Sequence, residues 1–95
     1  MFDRLEALDK EYEDVLARLS EPDVAADQNA FRDLSRRHKR LESIVSVYRA
    51  HQRAEADVAA AKELYADAGA EDREMLRGEM DTAAARMVQL MDELR

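Results

Sequence analysis

Between Ser35 and Ser43 the chain reads SRRHKRLES, so Arg36, Arg37, His38, Lys39 and Arg40 place four cations and one titratable ring in five consecutive positions. Clustered guanidinium and ammonium groups on a helix can follow a phosphate backbone. They can equally be a solvated face compensated from within the same helix, because Asp33 stands three and four residues before Arg36 and Arg37, and Glu42 three after Lys39. Such pairs contribute about 0.2–0.5 kcal/mol each and require no partner. Seven basic residues against two acidic ones between positions 31 and 53 nevertheless leave most of this charge uncompensated in its own segment. At about 100° per residue, Arg36 and Arg40 lie about 40° apart and Arg37 falls next to that pair, so three guanidiniums share a face while Lys39 points further round. Arg36, Arg37, Lys39 and Arg40 are the candidate contact residues.

Other chemistry is thinly represented. His38 with Glu42 and His51 with Glu55 have the spacing of neighbours on one helix face, but each pair offers two ligands where a structural zinc site takes four. No metal is expected. Glycine occurs only at Gly69 and Gly78 and cysteine not at all. Phosphate-cradling loops, nucleophile elbows, HExxH motifs, disulfides and thiolate metal sites are therefore absent, and neither catalysis nor a cofactor is expected of these residues. Met75, Met80, Met87 and Met91 resemble a methionine-lined groove but fit a packed seam better. Tyr12, Tyr48 and Tyr65 read as seam residues whose hydroxyls reach solvent.

The elements that position these residues are helical. Seventeen alanines against two glycines and one proline in 95 residues is a composition of long helices. Leu5, Leu8, Tyr12, Val15 and Leu19 step by three and four and predict a first helix over about 2–19. Pro22 interrupts the pattern and Asp27 offers an N-cap, so a second helix is predicted over about 28–67. It ends at Ala68-Gly69, where a left-handed glycine would close it. Leu76, Met80, Ala83, Met87, Leu90 and Leu94 define a third helix over about 71–95, continuous through Gly78.

The central helix carries a narrow stripe at Phe31 and Leu34, a broad one at Leu41, Ile44, Val45, Val47 and Tyr48, and a narrow one at Ala54, Val58, Ala61 and Tyr65. A broad stripe implies two neighbours. The expectation is an all-α fold: an elongated three-helix antiparallel bundle, coiled-coil-like, with a long central helix flanked by a shorter one along each half. Phe31 and Leu34 would lie beyond the reach of the third helix, which predicts weak self-association.

The formal net charge is −7, yet residues 31–53 carry +5. An acidic chain with one basic segment suits a single defined anionic contact rather than indiscriminate coating of nucleic acid. Without a signal peptide or a long apolar run, the cytoplasm is the expected compartment and no membrane partner is expected.

The wording of the chain adds to its periodicity. FDRLEALDKEYEDVLARLSEPDV, AADQNAFRDLSRRHKRLESIVSVYRAHQRAEADVAAAKEL and EDREMLRGEMDTAAARMVQLMDELR together resemble the N-terminal domain of bacterial peptide chain release factors, most specifically in DQNAFRDLSRRHKRLESIV followed by Tyr48-Arg49. The likeness is closer to factors that read UAA and UAG than to those that read UAA and UGA. The latter usually place a tryptophan after a Pro-Asp-Val like that of Pro22 to Val24, where this chain has Ala25.

The resemblance implies a domain of a translation termination factor, whose hydrolytic Gly-Gly-Gln motif and codon-inspecting tripeptide lie downstream; no glycine pair occurs here. It also implies docking near the stalk base of the large ribosomal subunit, among ribosomal RNA and protein, where translational GTPases work, including the class II release-factor GTPase. Arg36, Arg37, Lys39 and Arg40 then become candidate ribosome contacts. A free-standing coiled-coil adaptor or chaperone-like module would share the same seams. Continuation of the gene into a Gly-Gly-Gln domain distinguishes the two.

Overall fold

The computed structural model describes residues 2–94, which form four helices and, among the described residues, no strand. Helix α1 spans Phe2–Leu19, α2 Pro22–Ala26, α3 Gln28–Asp67 and α4 Ala70–Glu93. The fold is all-α with a long central helix, as the periodicity predicts. Position 95, the predicted end of the last helix, lies outside the described residues.

Two local features depart from the sequence reading. The segment around Pro22 is not merely a break: proline occupies the first turn of the five-residue helix α2. Its missing N–H costs nothing there, because the first N–H groups of a helix have no partner within it. Gly69 is not a left-handed closing residue. It has φ −77° and ψ 173° and caps the N-terminus of α4, and its carbonyl accepts the N–H of Arg73 at 2.9 Å. Asp27 does cap α3, its Oδ1 accepting from the N–H groups of Asn29 at 3.1 Å and Ala30 at 3.2 Å.

The chain packs as two compact units, one ending at Ser46 and the other beginning at Val47. In the first, Val15 of α1, Val24 of α2 and Leu34 and Leu41 of α3 form a core, flanked by Leu8, Tyr12 and Leu19. The α1 seam is therefore the buried one, and α2 exists to contribute Val24. Tyr12 stacks on His38 with ring centroids 4.9 Å apart, and Arg37 Nη2 forms an ion pair with Glu11 Oε1. These contacts join the middle of α1 to the first part of α3. Leu34 is 7% exposed, so the reason for expecting self-association is reduced to Phe31, which stays 46% exposed.

In the second unit Tyr48, His51, Ala54 and Ala61 of α3 are buried together with Leu76 and Leu90 of α4. Every position of the predicted α4 seam is buried or half-buried. Tyr65 accepts a hydrogen bond from Arg77 Nη2 at 3.1 Å while the Arg73 guanidinium lies 5.2 Å from its ring centre, fastening the end of α3 to the start of α4. Met75 is exposed, whereas Met80, Met87 and Met91 are half-buried, so only three of the four methionines belong to the seam.

Candidate nucleic-acid interface

The run SRRHKR lies in the second to fourth turns of α3, on a helix whose start Asp27 fixes. The buried positions Leu34, Leu41 and Val45 occupy about 40° of arc. That stripe decides what each basic residue can reach.

Arg37 and His38 border it, His38 half-buried and Arg37 exposed, and both are engaged by other side chains. Arg37 turns to Glu11. His38 stacks on Tyr12 and brings Nδ1 to 3.8 Å from Glu42 Oε2. Arg36 and Lys39 lie on the far side, and Arg40 at its edge; all three are exposed. Of the Arg36, Arg37 and Arg40 face expected from spacing, Arg37 is ion-paired to Glu11 on a neighbouring helix, while Arg36 and Arg40 make no ion pair among the described residues. Arg32 extends that face. It lies one helical turn before Arg36 and lines the same groove as Arg36 and Lys39.

Among the described residues, no ion pair forms at Arg32, Arg36, Lys39 or Arg40. The compensation that the sequence offered from Asp33 and Glu42 does not form: Asp33 pairs with neither Arg36 nor Arg37, and Glu42 approaches His38 rather than Lys39. What remains is an open groove of about 590 Å³ with Phe31, Arg32, Arg36 and Lys39 along it, Ala25 of α2 at its rim and no acidic residue in its lining. Such a surface can hold an anion with an apolar portion. Neither Arg32 nor the exposure of Phe31 follows from the apolar stripe; the four-residue step from Arg32 to Arg36 is the signal the sequence carries for this face.

Elsewhere the chemistry is structural. His51 is 4% exposed, and no buried side-chain nitrogen or oxygen among the described residues lacks a hydrogen bond. His51 is a satisfied core residue. No group of three potential ligands for a metal ion assembles among the described residues. A larger open groove of about 770 Å³ in the second unit is lined by Ala61, Leu64 and Met75 together with Asp57, Glu79 and Arg86. Its mixed charge selects no class of partner. Among the described residues, no helix is long and apolar enough to cross a membrane.

Comparison with known proteins places this arrangement. The PCRF domain family matches residues 8–95. Peptide chain release factor 1 of Oleidesulfovibrio alaskensis is 35% identical over 95 residues, covering 100% of this chain and 27% of that protein. The chain thus spans about a quarter of the length of this relative. No solved structure matches. A family match over almost every described residue, and a relative aligned along the whole chain, agree with the wording of the sequence: the chain belongs to the PCRF domain family, as the helical N-terminal domain of a peptide chain release factor.

Proposed function

We propose that this domain docks a translation termination factor on the ribosome, leaving codon reading and peptidyl-tRNA hydrolysis to other parts of the factor. The observation that carries the reading is the face of α3 on which Arg32, Arg36, Lys39 and Arg40 make no ion pair, in a chain of net charge −7. Cations kept uncompensated in an acidic domain suit an anionic partner met at one place, and RNA backbone is the partner that clustered arginine and lysine most often contact. The docking region is the stalk base of the large subunit, close to the binding region of translational GTPases, among them the class II release-factor GTPase. The compartment is the cytoplasm, where ribosomes work. Membership of the release-factor family weighs against the free-standing adaptor. The likeness to the factor named for its relative, with Ala25 after Val24, supports reading of UAA and UAG.

A termination assay tests this reading. Ribosomes carrying a labelled peptide and halted at UAA, UAG or UGA are mixed with the protein at its natural length or with residues 1–95 alone. The longer protein releases peptide at UAA and UAG but not at UGA, and residues 1–95 release none. Release by residues 1–95 would sink the division of labour, and release at UGA would sink the codon assignment.

A further inference from the structure

Phe31 is one of only two phenylalanines in the chain, and it is 46% exposed while Leu34, three residues on, is buried in the core of the first unit. Its surroundings are equally unusual. Arg32, Arg36 and Lys39 line the same groove, with Gln28 one turn before Arg32, Ser35 between Arg32 and Arg36, and no carboxylate in the lining. Arg32 and Arg36 are separated by about 6 Å along the helix axis, and Arg36 and Lys39 by about 4.5 Å. A ladder of cations beside an open aromatic ring combines the two elements that single-stranded nucleic-acid sites share: a positive track for the backbone and a platform for a base.

We propose that the groove at the start of α3 is a subsite for single-stranded RNA, in which Phe31 stacks on one unpaired base while Arg32, Arg36 and Lys39 hold the flanking phosphates. The inference rests on the docking function proposed above and adds the chemistry of the partner. A duplex keeps its bases stacked inside and has no ring face to give Phe31, so an unpaired loop or bulge is the RNA element that fits. An acidic peptide would satisfy the cations but leave the phenyl ring uncovered. Gln28 and Ser35 supply neutral donors and acceptors suited to a base edge or a ribose hydroxyl. Arg37 and His38 take no part, since Glu11, Tyr12 and Glu42 engage them.

The test is fluorescence anisotropy of the 95-residue chain with a short labelled oligoadenylate, with an RNA duplex and polyglutamate as competitors. Phe31→Leu keeps apolar bulk in the groove and removes the ring; it is expected to weaken oligoadenylate binding about tenfold, within the range of base–aromatic stacking. Phe31→Trp retains binding. Arg36→Ala lowers the log–log salt slope by about 0.7, as expected when one phosphate of a single strand is no longer neutralised. Arg37→Ala changes neither quantity. Circular dichroism of each variant establishes that it is folded.

Equal affinity of a folded Phe31→Leu variant, equal competition by duplex, or equal competition by polyglutamate would each overturn the subsite. Ribosome association of the natural-length protein separates the docking function from the subsite. If oligoadenylate binding depends on Phe31 but Phe31→Leu and Arg36→Glu leave ribosome association unchanged, the subsite stands and the docking function falls. If oligoadenylate binding shows no dependence on Phe31, the subsite falls whatever the ribosome does.

Discussion

Arg37 and Arg36 are adjacent in sequence and have different physical fates. A residue 100° further round the helix meets Glu11 of α1, and its neighbour meets solvent. Spacing along one helix could not reveal this, because the deciding carboxylate stands 26 residues away. Asp27 was legible for the opposite reason: capping is local, and its Oδ1 accepts from residues two and three positions on. Gly69 shows the limit of local rules, since glycine serves either a left-handed helix end or an N-cap, and the angles here are those of a cap. A β-carbon at Gly69 would meet nothing within 4 Å. Gly69→Ser is therefore expected to be neutral or to stabilise the chain by a few tenths of a kcal/mol. Urea denaturation measures it, and a loss of about 1 kcal/mol would instead indicate a need for left-handed backbone.

The elements were more legible than the individual residues, because repeated spacing averages over local accidents. The α4 seam is the clearest case: Leu76 and Leu90 are buried and the positions between them follow at three and four. Leu90 is 1% exposed, so Leu90→Ala is expected to cost about 2–5 kcal/mol, lowering the urea midpoint without abolishing helical circular dichroism at low temperature. Gly78 lies within the same helix on its exposed side, its φ is not positive, and an added β-carbon would meet open space. Gly78→Ala should stabilise by about 1 kcal/mol, the helix-propensity difference, and raise Tm by about 4–8 °C. An unchanged Tm would mean that this turn gains nothing from helical preorganisation. Helix α3 was harder to read, since Ile44 and Phe31 are apolar yet exposed and His51 is polar yet buried. Hydrophobic type indicates which residues favour burial, but the neighbouring helices decide which of them are covered. The short helix α2 escaped because Pro22 signals equally a helix end and a first turn.

For the whole molecule the governing quantity is where charge remains uncompensated. Under the docking function proposed above, general repulsion between an acidic chain and a polyanion should make ribosome association depend on where exposed cations cluster without carboxylates beside them. The groove lined by Arg32, Arg36 and Lys39 is such a place, with Arg37 as an internal control on the same turn of helix. Reversing all three to glutamate in the natural-length protein should slow ribosome association and reduce the log–log salt slope by about 2, at about 0.7 for each phosphate left without its cation. Arg37→Glu instead sets two carboxylates side by side at Glu11. That change should lower thermal stability slightly, because exposed ion pairs contribute no more than about 1 kcal/mol, and it should leave the salt slope intact. Peptide release at saturating protein should stay near normal in both variants, since their defect lies in arrival rather than chemistry. Stopped-flow association at two salt concentrations reads these effects directly. A triple variant that associates as fast as the unsubstituted protein, with the same salt slope, would make the outward cations a solvated helix face and nothing more.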